Sequence, residues 1–155
     1  MSFNPYIPTM FAMTAVASSI TGSTSETTLF SKTLKAGMMG PNDFLEVITR
    51  WTYTNSAATK TLRVKIGTSA YLANVASTSN TLVRRVLIHN RNSLASQVCF
   101  GVAPTNDNGI TTTAIATFTE DVSVDKTFAI TAQNNNVAPT TTLESFLAIL
   151  WRQQA

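Results

Sequence analysis

Hydrophobic and polar positions alternate along short stretches of this chain, a pattern typical of half-buried β-strands. The clearest example is residues 61–66, where three aliphatic side chains alternate with Arg63 and Lys65. We expect the aliphatic side chains to face a core and the two basic side chains to be exposed. Residues 44–53 alternate in a similar way, with Trp51 on the inward side. We predict that these two strands form a hairpin.

Eight such segments follow the first 24 residues, separated by turns rich in Gly, Asn, Ser and Pro. We predict that residues 67–80, around Tyr71, are a long connection without a strand. The final segment is apolar on both sides, which suits a short helix or a fully buried strand, and the three threonines before it favour the strand. The predicted strands cover residues 27–34, 44–53, 61–66, 82–89, 95–102, 111–119, 127–132 and 143–151.

Strands at this spacing, with no convincing helix, predict an all-β protein with a single β-sandwich. Eight strands in two sheets is the number found in a jelly roll, so we predict an eight-stranded jelly roll over residues 25–155. The pattern does not indicate which strands are neighbours.

Residues 1–24 differ from the rest because they combine two early prolines with several large apolar side chains. We predict an extended N-terminal arm. It either packs on a neighbouring subunit or folds back onto its own domain, and the sequence favours neither. The side chains predicted to make protein contacts are Phe3, Tyr6, Ile7, Met10 and Phe11.

The composition supports a β-rich chain with an unusually neutral surface. Only 12% of the 155 residues are charged, about half the usual ~25%, whereas there are 26 Thr, 14 Ser and 12 Asn. The net charge is only +3 and no run of Lys or Arg occurs, so we expect no nucleic-acid partner. Residues 47–106 nevertheless hold seven basic and no acidic residues, which could meet an acidic protein or a phosphate backbone if they share a face.

Few residues in the chain suit catalysis or metal binding. His89 is the only histidine and Cys99 the only cysteine, too few for a standard zinc site, and no Gly-x-Ser-x-Gly elbow is present. Glu120, Asp121 and Asp125 could bind calcium, but an acidic hairpin tip explains them as well. We therefore predict no enzyme activity and no cofactor. Because no apolar stretch reaches ~20 residues and no basic segment precedes the apolar N-terminus, we also expect no membrane span and no secretory signal.

Several segments resemble small structural virion proteins of tailed phages. The first three are residues 34–47 (LKAGMMGPNDFLEV), 51–55 (WTYTN) and 60–67 (KTLRVKIG). Residues 90–93 (NRNS), with Ser96 and Gln97, extend the similarity. The similarity is a recurrent hairpin and turn signature and contains no catalytic motif.

This resemblance implies a jelly-roll fold and a place in the virion. The role we expect is a capsid decoration (cement) protein that binds the major capsid protein on the outer capsid surface. We expect it to be a homotrimer that is synthesised in the host cytoplasm. An alternative is a tail, fibre or head-spike component whose jelly roll binds host glycans, with Tyr71 as its loop aromatic residue. A third possibility is a soluble binding module unrelated to phages.

Overall fold

The computed structural model describes residues 6–76, 78–99 and 115–154, and it contains eleven β-strands and no helix within these residues. Nine strands follow residue 24, against eight predicted, because a strand also occupies part of the predicted 67–80 connection. The prediction of that connection was therefore wrong. The strands are β1 (Tyr6–Thr14), β2 (Ser18–Ile20), β3 (Thr27–Leu34), β4 (Phe44–Tyr53), β5 (Lys60–Ile66), β6 (Ser69–Ala76), β7 (Thr81–Asn90), β8 (Gln97–Cys99), β9 (Ala116–Phe118), β10 (Lys126–Asn134) and β11 (Thr141–Gln153).

Two antiparallel sheets pack as a sandwich, as the all-β prediction required. The larger sheet, sheet A, has the order β1-β11-β4-β7-β8-β9, and β2 also pairs with β11. The smaller sheet, sheet B, has the order β3-β10-β5-β6. The predicted hairpin of β4 and β5 was wrong, because β4 pairs with β11 and β7 in sheet A while β5 pairs with β10 and β6 in sheet B. The loop between them crosses from one sheet to the other.

Strand pairing is nested, so that early strands pair with late ones. β1 and β2 pair with β11, β3 with β10, β4 with β7, and β5 with β6. This long antiparallel ribbon is then wrapped, which brings β11 against β4 and β10 against β5. Most of the sheet contacts consequently join residues far apart in sequence.

The core lies between the inner faces of the two sheets. Leu62, Val64 and Ile66 of β5 are completely buried, and so is Trp51 to within 1%. Their partners on β10 are equally buried, with Phe128 opposite Ile66. The orientation predicted from the alternation of residues 61–66 is thus confirmed, and the final apolar segment is confirmed as strand β11.

The segment predicted as an arm contributes two strands to sheet A. β1 pairs with β11 from the pair Tyr6 and Gln153 to the pair Thr14 and Phe146, with a bulge between Met10 and Ala12. The bulge turns Phe11 inward, where its ring packs edge-on against Phe128 at 5.3 Å. Residues 6–20 of the predicted arm therefore fold onto their own domain, which was one of the two alternatives.

Candidate interaction surface

The outer face of sheet A carries a group of neighbouring apolar side chains at the end that includes Phe44 and Trp151. Outward positions alternate with the buried ones on each strand, and the cross-strand register groups them into three rows over β1, β11, β4 and β7. We call these three rows the apolar face of sheet A. It comprises Pro8, Trp151, Phe44 and His89 in the first row, Met10, Ile149, Glu46 and Leu87 in the second, and Met13, Leu147, Ile48 and Arg85 in the third.

The side chains on this face range from half-buried to exposed. Met10 and Met13 on β1 are 52% and 60% exposed. Phe44, Ile48 and the outward residues of β11 are of intermediate exposure. Isolated exposed apolar residues are normal on proteins, whereas a contiguous group of them is a candidate interaction site.

The first row is a stack of rings across three neighbouring strands. The Phe44 ring lies parallel to the His89 ring at 4.6 Å and to the Trp151 indole at 5.7 Å, with interplanar angles of 18° and 9°. Tyr6 packs edge-on against Phe44 at 5.3 Å. Since each ring covers the face of the next, the stack offers solvent mainly ring edges. Burial lowers the pKa of His89, which favours the neutral imidazole.

The charges on the apolar face compensate each other. The Glu46 carboxylate accepts a hydrogen bond from Arg85 Nε at 2.6 Å and another from Trp151 Nε1 at 2.9 Å. Glu46 is only 8% exposed although it lies on the outer side of the sheet, because these two side chains cover it. Both carboxylate oxygens are thereby satisfied within an apolar surrounding.

A turn at residues 40–43 fixes the end of the sheet that carries the aromatic stack. Asp43 Oδ2 accepts a hydrogen bond from Gly40 N at 2.7 Å, and Asp43 Oδ1 accepts one from Gln153 N at 2.8 Å. A Cβ atom at Gly40 would lie 3.0 Å from Asp43 Oδ2, closer than an ordinary van der Waals contact. The turn thus ties the start of β4 to the end of β11, and so places Phe44 beside Trp151.

Polar side chains join the neighbouring turns at this end of the sandwich. Asn90 N donates to Asp43 O at 3.0 Å, and Asn90 Nδ2 donates to Gly40 O at 2.7 Å. Gln97, which is completely buried, donates to Asn90 Oδ1 and to Glu120 O and accepts from Tyr71 Oη. Asn90 and Gln97 therefore belong to a buried hydrogen-bond network that holds the turns together.

The outer face of sheet B is polar. Arg63 and Lys65 extend over it, and both form ion pairs with Glu26, at 3.6 Å and 3.2 Å. Their side chains are 20% and 26% exposed, less than we predicted, because these ion pairs partly cover them. Glu26 also accepts a hydrogen bond from the hydroxyl of Thr131, and these contacts lower its pKa.

The seven basic residues of residues 47–106 do not share one face. Arg50 and Arg85 lie on the outer side of sheet A, whereas Arg63 and Lys65 lie on sheet B. Lys60 is completely buried, with its ammonium donating to Ser56 at 3.0 Å. The structure therefore does not bring these residues together as a nucleic-acid or acidic-protein site.

The acidic residues near residue 120 stabilise a connection between the sheets. Glu120 is 7% exposed and accepts hydrogen bonds from the backbone of Thr68 and Ser69 at 2.8 Å and 3.0 Å. Burial opposes its ionisation, but these bonds and the ion pair with Lys126 outweigh it and lower the pKa of Glu120 to about 2. Gly67 leaves the space that this carboxylate occupies. Because β9 and β10 belong to different sheets, the alternative of a hairpin tip was wrong.

Within residues 6–76, 78–99 and 115–154, no three His, Cys, Asp or Glu side chains are grouped so that they could hold a metal ion. Cys99 is buried, as expected, and its thiol contacts Tyr71 O. Tyr71 itself lies in β6 and is completely buried, so it is no loop residue.

The predicted contact residues divide into two groups. Tyr6, Ile7 and Met10 are 42%, 44% and 52% exposed, but Phe11 is 5% exposed and packs in the core of its own domain. Phe3 lies outside the described residues.

The sequence analysis missed most of the apolar face. Its signal was present, since Phe44 and Ile48 interrupt the alternation of β4 and β11 is apolar on both sides. A strand with two apolar sides can be buried on both, so the sequence alone could not indicate that one side was open.

Comparison with known proteins leaves the family open. No helix long and apolar enough to cross a membrane occurs in the part of the chain that the structure describes. No protein-family model and no curated protein matches this chain.

Proposed function

We propose that this chain is a structural protein of a tailed-phage virion, most simply a decoration protein that binds the major capsid protein on the outer capsid surface. The observation that carries the proposal is the apolar face of sheet A. A surface of this kind is costly in water, so it suits a protein that works within an assembly. The resemblance of residues 34–47, 51–55, 60–67 and 90–93, with Ser96 and Gln97, to small virion proteins supplies the kind of assembly.

We further propose that the sandwich is a jelly roll. Nested pairing of first with last strands, wrapped into two sheets, is the arrangement expected of two interlocked Greek keys. The eight principal positions would be taken by β1 with β2, and by β3, β4, β5, β6, β7, β10 and β11. The short strands β8 and β9 would then be an extension of sheet A beyond β7.

The neutral character of the surface is consistent with a shell protein. With 12% charged residues, wide contacts can form without removing many ions from water. Symmetric repetition on a capsid multiplies weak contacts, so the affinity of each site need not be high.

The glycan-binding alternative has less support. Its loop aromatic, Tyr71, is buried and donates its hydroxyl hydrogen to Gln97 Oε1 at 3.2 Å. The exposed aromatic row presents ring edges, whereas binding of a sugar ring by stacking requires an open ring face.

Copy number in purified virions tests this proposal. Quantitative mass spectrometry against the major capsid protein should give hundreds of copies per particle for a decoration protein. A handful of copies would overturn the decoration role in favour of a tail, fibre or spike part, and absence from the particle would overturn a structural role altogether.

A further inference from the structure

We propose that the apolar face of sheet A binds the same face of a second copy of this chain. The proposal rests on the function above for the assembly in which the copies would act, but the contact can be tested on the purified protein without any capsid. It specifies which surface mediates self-association, which the sequence left open.

The size of the face suits the centre of an interface between two protein chains. Four strands about 4.8 Å apart and three rows about 6.8 Å apart cover roughly 20 Å by 20 Å, or about 400 Å². A standard interface buries about 800 Å² on each partner, with an apolar centre and a polar rim. Arg50, Ser145 and Thr52 follow the third row and would supply part of such a rim.

The face carries no net charge, which favours a second copy of this chain over a strongly charged partner. Its only ionic side chains are Glu46 and Arg85, which pair with each other at 2.6 Å. Two such faces can therefore approach without like-charge repulsion, and a strongly charged partner would gain nothing from this surface. Sheet B, with Arg63 and Lys65 on its outer side, would repel its own copy more strongly.

Side chains at the exposed margin can adapt to a facing sheet. Met10 and Met13 are flexible and polarizable, so they fill irregular gaps between two packed surfaces. Two sheets that pack face to face lie about 10 Å apart with strands near −30°, a spacing that side chains of this size can fill.

The test is the mass of the protein in solution, measured by size-exclusion chromatography with light scattering. The wild-type chain should elute as a dimer instead of the homotrimer expected from the resemblance, because a face that packs on its own copy closes as a twofold pair. Met10→Glu combined with Met13→Glu places two charges on the face at positions exposed within the subunit, so it should give a folded monomer of 16.7 kDa. The matched control is Val124→Glu with Val137→Glu, which adds the same charge at valines 52% and 60% exposed in loops away from the face.

Circular dichroism and thermal unfolding establish that both variants are folded. Retention of the control oligomer and loss of the Met10/Met13 oligomer would support the proposal. A monomeric wild type, an oligomer that survives both pairs of changes, or one lost equally in both would overturn it. A monomeric wild type present in hundreds of copies per virion would overturn only this inference, whereas an oligomer broken at this face but scarce in virions would overturn only the decoration role.

Discussion

The two sheets are alike on their inner sides and opposite on their outer sides. Inside, Leu62, Val64 and Ile66 of sheet B meet Trp51 and its neighbours of sheet A in one continuous core. Outside, sheet B carries basic residues paired with Glu26, whereas sheet A carries aromatic and aliphatic rows. Folding requires only the inner sides to be apolar, so packing within the subunit does not account for the apolar outer side of sheet A.

The contrast extends to the carboxylates of the two outer faces. The Glu26 side chain is 34% exposed, so water screens the charges of its ion pairs. The Glu46 side chain, which pairs with Arg85, is only 10% exposed and lies beneath Trp151. The same chemical pair therefore has different consequences on the two sheets.

The largest effect should come from the core that both faces share. Phe128→Ala removes a completely buried ring of sheet B that packs against Phe11 and Phe146 of sheet A. We expect a loss of about 3–5 kcal/mol in the free energy of unfolding, as for other buried Phe→Ala changes. Urea denaturation followed by circular dichroism measures it. A loss below about 1 kcal/mol would mean that the inner sides are not packed as described.

Acid should weaken the connection between the sheets that Glu120 stabilises. Because the pKa of Glu120 is lowered to about 2 from an ordinary 4.5, the ionised form is stabilised by folding. Its contribution is therefore present above pH 4.5 and is lost as the pH falls towards 2. Glu120→Gln should lower the urea midpoint at pH 7 and flatten its dependence on pH below 4.5.

Asp121→Asn is the control for that measurement. Asp121 is exposed and its carboxylate contacts only the nearby Ser123 among the described hydrogen bonds, so its replacement should leave most of the acid dependence in place. Equal flattening by both changes would show that the effect is not specific to Glu120.

The smallest changes in the free energy of unfolding should come from the same Glu→Ala substitution on the two outer faces. This pair of variants compares the two faces directly. Glu46→Ala removes the buried carboxylate that accepts hydrogen bonds from Arg85 Nε and Trp151 Nε1, which should cost about 1–3 kcal/mol. Glu26→Ala breaks more exposed ion pairs and should cost about 0–1 kcal/mol. Urea midpoints at low protein concentration separate the two. A larger cost for Glu26 would reverse our view of the two faces.

Much of the fold could be predicted because strand patterns are local. The bounds of β3 and β4 agree with the predicted residues 27–34 and 44–53. β6 was missed because its Ser, Ala and Asn content is that of a loop, and its strand state depends on pairing with β5. Propensity in strands depends strongly on such context.

The candidate surface could be predicted only in part. Met10 was selected because it is a large apolar residue in a proline-containing segment, and it is indeed exposed. Phe11 was selected for the same reason, but the bulge after Met10 turns it into the core. A shift of one residue in a strand reverses the side to which a side chain points. Two neighbours of equal hydrophobicity can therefore lie on opposite sides of the sheet, one exposed and one buried.

By itself, the sequence determined that this chain is an all-β protein and which side of strands such as β5 faces the core, because both depend on alternation between residues close in the chain. Only the tertiary structure decided which strands are neighbours. The pairing of Met10 with Ile149, and of Glu46 with the same residue, joins segments more than a hundred residues apart. The apolar face exists only through those distant pairings, because each strand supplies just one side chain to each row.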